Sequence, residues 1–398
     1  MYLDGTTSTE PRRRLRVSIV TETYPPEING VAHTVARWID GLRRRGHRVQ
    51  LVRARQGHHD GQEAEADLDT LRVPGFRIPG YPQLQAGWPA QRALMARWRR
   101  KRPDLVHVVT EGPLGYSALR GARRMGIPVS TSFHTNFQQY SRHYHIGWLA
   151  APIMAYLRHF HNQSAQTLVP TAQLAGQLQA IGFRRTQVLA RGVDTALFAP
   201  QRRDPSLRER WGVGPNALAV LYVGRLAAEK NLTLAIAAFQ AIRRQRPDAR
   251  LILVGDGPMA PRLQIRHPGF VYCGMRRGQD LAAHYASADL FLFPSLTETF
   301  GNVVLEAMAS GLPVVAFDYA AARAHVEPGQ GGLLAPFGDT GAFVAAATAL
   351  ARDAGMIPPM GQAARLAATR LDSERIYERL EALFLSASQG ETACPTPC

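Results

Sequence analysis

Two doubly wound α/β units, each a parallel sheet flanked by helices, are the fold class this sequence predicts. Three observations carry that reading. The chain has 398 residues, more than one ordinary α/β core holds and suited to two domains of roughly 150–200 residues each. Short apolar runs alternate with amphipathic helical stretches, the pattern of a parallel sheet covered on both faces. The alternation then stops over Ala190–Pro205, which contains Gly192, Pro200 and Pro205, and begins again after it.

The first half opens with a buried strand, Arg16–Val20, that runs into a loop, Thr21–Asn29, holding Pro25-Pro26. Gly30 starts an amphipathic helix that reaches Arg45 and ends at Gly46, and Arg48–Val52 is the next strand. Further strands are expected at Leu105–Val109, Pro128–Phe133 and Thr167–Val169. Helices are expected over Pro89–Arg102, Leu114–Met125, Trp148–Asn162 and Ala172–Ile181. With Ala190–Pro205 read as a linker, the second half gives strands at Ala217–Gly224, Arg250–Val254, Phe270–Cys273, Leu290–Phe293 and Pro313–Ala316. Its helices are Asn231–Arg246, Pro258–Arg266, Asp280–Ala286 and Asn302–Ala309. A late helix, Ser373–Leu385, carries Ile376, Leu380, Leu383 and Phe384 on one face and needs a partner surface. The expected division is an N-terminal domain over 15–195, a C-terminal domain over 196–372, the late helix over 373–386 and a disordered tail over 387–398.

Composition narrows the function classes. Hydrophobic residues make up 45%, enough to fill two cores. No apolar run is long enough to span a bilayer. Met1–Arg14 has arginines but no apolar core before a cleavage site, so no secretory signal is expected. Three cysteines, Cys273, Cys394 and Cys398, do not make a disulfide framework or a zinc site, which fits a reducing cytoplasm. Lys+Arg 47 against Asp+Glu 31 gives a net charge of +16, a field that attracts phosphate in a nucleotide, a nucleic acid or an anionic lipid. The only lysines are Lys101 and Lys230, so a lysine here is a departure from the chain's habit of writing cations as arginine.

In open α/β sheets ligands bind beyond the carboxyl ends of the strands, so the turns after strands are where chemistry is sought. One such turn is Val223-Gly224-Arg225-Leu226-Ala227-Ala228-Glu229-Lys230-Asn231. Gly224 lets backbone approach closely, and Arg225 and Lys230 place two cations near a helix amino end, a setting for a diphosphate. The same cations suit a departing nucleotide; a surface salt-bridge cluster is the plain alternative. A second turn is Pro294 to Glu306. Glu298 lies in its loop, where it can meet a sugar hydroxyl. Phe300, Gly301, Asn302 and Val303 open a helix whose free N–H groups point at an anion. Glu306, within that helix, can accept both hydroxyls of a ribose. The alternative is a capping Glu298 and a solvated Glu306.

The two glutamates, seven residues apart in the setting Glu298-Thr299-Phe300-Gly301 to Glu306-Ala307-Met308-Ala309-Ser310-Gly311-Leu312-Pro313-Val314, resemble the retaining GT-B glycosyltransferases of glycosyltransferase family four. Gly224-Arg225 with Lys230, Val254-Gly255-Asp256-Gly257 and Arg191-Gly192-Val193-Asp194 resemble that family's usual phrases, and the likeness runs from about Leu15 to Phe384. It is nearest to GDP-mannose-dependent mannosyltransferases acting on lipids and to the sulfoquinovosyl-diacylglycerol type, through Ser132-Phe133-His134-Thr135-Asn136-Phe137, His143-Tyr144 and Trp148. The resemblance implies two Rossmann-like domains facing a central cleft, with the donor held mainly by the second. It implies that Gly30 approaches the donor diphosphate and that His134 contacts the reacting sugar. It gives Arg225 and Lys230 the diphosphate, Glu298 the sugar, Glu306 the ribose and Met275 a place beside the base. It also implies that the late helix crosses back onto the N-terminal domain. Two phrases depart from the family: Asn29 precedes Gly30 where a second glycine is common, and Asp318-Tyr319-Ala320-Ala321-Ala322 replaces a usual Gly-Gly.

The implied reaction is transfer of a hexosyl group, mannosyl in the favoured version, from a nucleotide diphosphate sugar to a lipid or glycan, with retention and with no metal or cofactor. A UDP-sugar-dependent diacylglycerol glycosyltransferase of the sulfoquinovosyl or glucosyl type is the alternative within the family. A GT-B sugar-nucleotide epimerase stays open, whereas a phosphorylase needs a pyridoxal lysine in a chain with two lysines. A non-catalytic nucleotide- or nucleic-acid-binding protein is the rival from another class, but no basic helix–turn–helix or aromatic RNA platform supports nucleic acid as a partner. His143, His145, His159 and His161 have no paired carboxylate to suggest a metal, and Asp67-Leu68-Asp69 reads as a solvated loop. The helix around Leu94, Met95, Trp98, Arg99 and Arg100 is basic and amphipathic, so peripheral contact with an anionic inner membrane surface is expected beside the reading of a solvated helix end.

Overall fold

A computed structural model describes residues 13–27, 29–55, 68–78, 81–134, 147–298 and 300–390. They divide into two compact units. The first takes the described residues up to His134, Trp148–Leu189 and the chain from Tyr377 onward, and the second takes Ala190–Ile376.

The first unit is built on β1 (Arg16–Thr21), β2 (Arg48–Ala54), β3 (Asp69–Val73), β6 (Leu105–Val108), β7 (Val129–Ser132), β8 (Gln166–Val169) and β9 (Thr186–Val188). They form one parallel sheet in the order β3-β2-β1-β6-β7-β8-β9. A separate antiparallel pair joins β4 (Gly75–Ile78) to β5 (Tyr81–Gly87). Arg16 lies opposite Arg48, and from Val17 to Thr21 every β1 residue is buried, as a central parallel strand covered on both faces requires. Trp98, fully buried, donates from Nε1 to Ser18 Oγ at 3.2 Å and so ties the Gln91–Arg100 helix to β1.

The second unit has β10 (Ala219–Val223), β11 (Arg250–Val254), β12 (Val271–Gly274), β13 (Leu290–Phe293), β14 (Val314–Phe317) and β15 (Gly332–Ala335), parallel throughout, in the order β12-β11-β10-β13-β14-β15. Alternation decides which face each residue fills. Ala219, Leu221 and Val223 enter one core with Ile252 and Phe291, while Val220 and Tyr222 enter the other with Leu251, Leu253 and Phe239. Strand order reverses direction between β10 and β13, so the turns after these two strands, Gly224–Asn231 and Pro294–Gly301, meet at the switch point of the sheet.

Several expectations change. Ala190–Pro205, read as a linker, belongs to the second unit: Arg191, Val193 and Phe198 are buried there. The unit boundary therefore falls after Leu189, not after residue 195. Asp69, read as part of a solvated loop, opens β3 and pairs through its carboxylate with Arg97 and with Lys101. The last helix runs Ser373–Ser388, so Ala387 and Ser388, expected in a tail, are helical; 391–398 lie outside the described residues. From Tyr377 that helix belongs to the first unit. Glu381 accepts from Arg45 Nη2 and from His47 Nε2, at 2.6 and 3.1 Å, and the Leu383 carbonyl accepts from Gln166 at 3.0 Å. Because His47 Nδ1 accepts the Leu15 N–H, its proton sits on Nε2 and points at Glu381. The basic helix is also corrected. Leu94 and Trp98 fill the unit's own core, so its apolar face is not free for lipid, and Arg92, Arg99 and Arg100 form its exposed side. No helix among the described residues is long and apolar enough to cross a membrane.

Candidate active site

The turn after β10 and the turn after β13 are joined by side chains. Lys230 Nζ is ion-paired with Glu298 Oε1. Ser295 Oγ donates to the same oxygen at 2.8 Å. Asn231, held in the left-handed region at φ 54°, donates from Nδ2 to the Pro294 carbonyl at 3.3 Å, and Thr297 Oγ1 donates to the Glu229 carbonyl at 3.2 Å. Tyr319, from the segment after β14, donates to the Glu298 carbonyl at 2.5 Å. Glu298 is therefore fixed through both its carboxylate and its backbone. Arg225, expected to act beside Lys230, is half-exposed and meets Glu229 at 3.5 Å, a weak pair on its own turn.

The chain then turns into the Asn302–Ala309 helix. Gly301 caps it at φ 96°, a conformation that a side chain would strain, and no side-chain cap bonds the helix start. Amides at a helix start with no side-chain cap suit an anion. Phe300 is buried, and its carbonyl accepts from Ala321 N–H at 2.8 Å, which holds the turn. Glu306 is buried on the same helix and accepts from Tyr285 Oη at 3.1 Å. Burial, with that carboxylate beside it, drives the Tyr285 phenol well above its usual range, so Tyr285 stays a donor. Gly274 takes φ +65°, and Met275 after it is exposed. Thr299 lies outside the described residues.

Arg191 carries more than its sequence position suggested. Its side chain is buried, Nη1 donates to Asn302 Oδ1 at 3.4 Å, and Cζ stands 5.5 Å from the Phe300 ring centroid. Burial pulls its guanidinium down to about 10 while Glu298 pushes the other way. In the sequence it stood out only as the first residue of the family-like phrase Arg191-Gly192-Val193-Asp194, with no role attached to its side chain.

In the first unit, Gly30 is exposed at the start of the Gly30–Arg44 helix, and Asn29 caps that helix, accepting from Val31 and Ala32 N–H at 3.1 and 2.8 Å. The asparagine in place of a glycine thus has a structural use. Asn29 also donates to Thr23 Oγ1 at 2.6 Å, which ties the loop together. His134 is half-buried against Trp38, with ring centroids 6.1 Å apart. Residues 135–146, which carry Thr135-Asn136-Phe137, His143, Tyr144 and His145, lie outside the described residues. His161, one of the histidines weighed for metal, is buried and meets Glu111 at 3.1 Å and Thr131 at 2.9 Å. Among the described residues no group of three or more His, Cys, Asp or Glu is placed to hold a metal ion.

Sequence reasoning missed Glu22. It lies just past β1, is buried, and accepts from the Leu114 N–H at 3.0 Å at the start of the Pro113–Arg124 helix. A Cβ on Gly112 would come within 1.9 Å of its Oε2, so a side chain there would have to displace the carboxylate. Burial, helped by the charge of Glu111 and opposed by the N–H groups of Leu114, Gly87 and Gly115, raises its carboxyl to about 7.

Comparison with known proteins gives these folds and turns a context. Residues 28–197 match the family described as Glycosyltransferase Family 4, and 217–353 match Glycosyl transferases group 1. A GDP-mannose-dependent alpha-mannosyltransferase of Mycobacterium tuberculosis (strain CDC 1551 / Oshkosh) is 37% identical over 330 residues, covering 82% of this chain and 85% of that protein. A sulfoquinovosyl transferase of Arabidopsis thaliana is 32% identical over 324 residues, 79% of this chain and 61% of that protein. Among solved structures, Anabaena HepE in complex with UDP superposes with a TM-score of 0.76 at 19% identity, covering 94% of this chain and 100% of that one, a likeness of fold.

Proposed function

From the premise that this chain belongs to glycosyltransferase family 4, has the GT-B fold and is a nucleotide-sugar-dependent hexosyltransferase, we propose that it moves a mannosyl group from GDP-mannose to a lipid or glycan acceptor with retention. The observation that carries the site assignment is the Lys230–Glu298 pair, which joins the turns after β10 and β13 at the switch point of the second sheet.

In this reading the Glu298 carboxylate marks, on Lys230, the place where a donor phosphate binds. When the diphosphate arrives, Lys230 turns to it, Arg225 adds a second cation, and the amides of Gly301, Asn302 and Val303 with the turn at Phe300 complete the anion site. Gly224 lets the backbone come close. Glu298, released from the lysine, accepts a hydroxyl of the donor sugar. Glu306, oriented by Tyr285, accepts the ribose hydroxyls, and Met275 lies beside the base. Departure of the nucleoside diphosphate and attack of the acceptor occur on one face, and the leaving phosphate oxygen takes the acceptor's proton. Lys230, Arg225 and the helix amides supply the positive charge for that departure, so the reading calls for no metal or cofactor.

The 32% identity to a plant sulfoquinovosyl transferase supports a second reading, with UDP in place of GDP and a diacylglycerol acceptor. We place the protein at the cytoplasmic face of a membrane, held peripherally by exposed arginines such as Arg92, Arg99 and Arg100. Calorimetric titration with GDP and UDP tests the donor assignment. GDP binding that is lost in Glu306→Ala supports the mannosyl reading; binding of UDP alone replaces it with the second.

A further inference from the structure

We propose that Arg191 is a positioning residue of the donor site: its buried guanidinium fixes the Phe300–Asn302 turn and adds permanent positive charge to the amino end of the Asn302–Ala309 helix. The proposal rests on the reading of that helix start as the donor's anion site.

The side chain reaches the turn in two ways. Its Nη1 donates to Asn302 Oδ1 at 3.4 Å, and its Cζ lies over the Phe300 ring, 5.5 Å from the centroid. Phe300 is itself 1% exposed, so the guanidinium lies over a ring packed into the core. The backbone that carries Arg191 is pinned within the same unit: Val193 N–H donates to the Leu371 carbonyl at 3.0 Å, and Ser373 N–H returns to the Val193 carbonyl at 3.0 Å. A cation held this way does not swing into solvent.

The placement favours an anion at the helix start. A helix amino end is already positive, so a neighbouring cation is repelled by the helix dipole. Taking a guanidinium out of water adds a further cost. Glu298 is the acidic neighbour whose charge acts on Arg191, and that carboxylate is also the partner of Lys230. Two cations and the positive end of a helix thus gather around one carboxylate, an arrangement suited to binding a doubly charged group. His325 also packs against Phe300, ring centroids 5.7 Å apart; burial lowers its imidazole to about 4, so it adds no charge at neutral pH. Arg191 itself stays protonated there.

Arginine matters for two separable reasons: its permanent charge and its flat fork. Arg191→Lys keeps the charge and loses the fork, and Arg191→Gln keeps polar length and loses the charge. Nucleotide affinity of the full chain is measured by calorimetry with GDP and UDP from pH 6.5 to 9.5. We expect Arg191→Gln to bind roughly 10–100-fold more weakly at every pH, the loss of one charge-assisted contact. We expect Arg191→Lys to bind within roughly 10-fold of the wild type at neutral pH. Its affinity should then fall in alkali where the wild type's does not, because a buried amine gives up its proton sooner than a guanidinium. Lysine and glutamine variants that weaken binding equally, with flat and parallel pH profiles, would overturn the proposal in favour of a packing role. Wild-type affinity in both variants would overturn it too. If Arg191→Gln does not fold, the alkaline limb of Arg191→Lys decides alone. Loss of affinity in Glu306→Ala with none in Arg191→Gln sinks this inference and leaves the donor site standing, whereas a wild type that binds neither nucleotide sinks both.

Discussion

Replacing Glu22 by glutamine should stabilise the first unit at alkaline pH and do little in acid. The carboxyl is raised from 4.5 to about 7, chiefly by burial. Between those two values the folded chain holds a proton that the unfolded chain has released. Stability contributed by this group is therefore full at low pH, falls as pH rises from 4.5 toward 7, and levels off above that. At ~1.4 kcal/mol per pKa unit the whole penalty is about 3 kcal/mol. Glutamine keeps an oxygen for the Leu114 N–H and has no proton to lose. His107 titrates in the opposite sense, since burial lowers its imidazole to about 3 and its contribution is lost as pH falls below 6.5. The difference between variant and wild type cancels that effect. Thermal unfolding followed by circular dichroism at pH 5 and pH 8.5 gives the test. The gap between Glu22→Gln and wild type should widen by roughly 2–3 kcal/mol, and the variant should melt several degrees higher at pH 8.5. Two curves that stay parallel across the range would refute the reasoning, because an ordinary, solvated Glu22 behaves that way.

Lys230→Ala removes the cation between Glu298 and the proposed diphosphate, and turnover should fall roughly 10²–10³-fold with a smaller loss of nucleotide affinity; unchanged turnover in a steady-state assay would remove Lys230 from the site. Gly112→Ala should destabilise the first unit by more than ~2 kcal/mol in urea titrations, because its Cβ would sit on the Glu22 carboxylate; a neutral result would mean Glu22 is free to move. Peripheral membrane contact predicts co-sedimentation with vesicles of anionic lipid at low salt and release at high salt. Failure to sediment at low salt would remove that part of the account.

Central strands of both sheets are legible in the sequence because both of their faces are buried, which writes Val220-Leu221-Tyr222-Val223 or Leu251-Ile252-Leu253-Val254 as an unbroken apolar run. The two edge strands of the first sheet are not. Asp69–Val73 is half-exposed, and Thr186–Val188 is three residues long and mostly polar, so neither stands out from a loop. Helices Thr340–Arg352 and Ile357–Thr369 are rich in alanine, which packs against a core without marking a strong apolar stripe. The residues proposed for the donor site were singled out through their turns and the family likeness. Their mutual geometry was not: Lys230 and Glu298 are 68 residues apart and meet because β10 and β13 are neighbours. The burial of Glu22 and Arg191 was invisible for the same reason, since a buried charge is recognised by its surroundings and the surroundings come from distant parts of the chain.

Retaining mannosyl transfer is the central claim, and its most direct test is the product. Purified protein is incubated with GDP-mannose and a lipid extract, and the anomeric configuration of the new linkage is read by NMR. The account predicts an α-mannoside, formed together with GDP and absent in Lys230→Ala. A β-linked product, or transfer from a UDP-sugar with none from GDP-mannose, would contradict it.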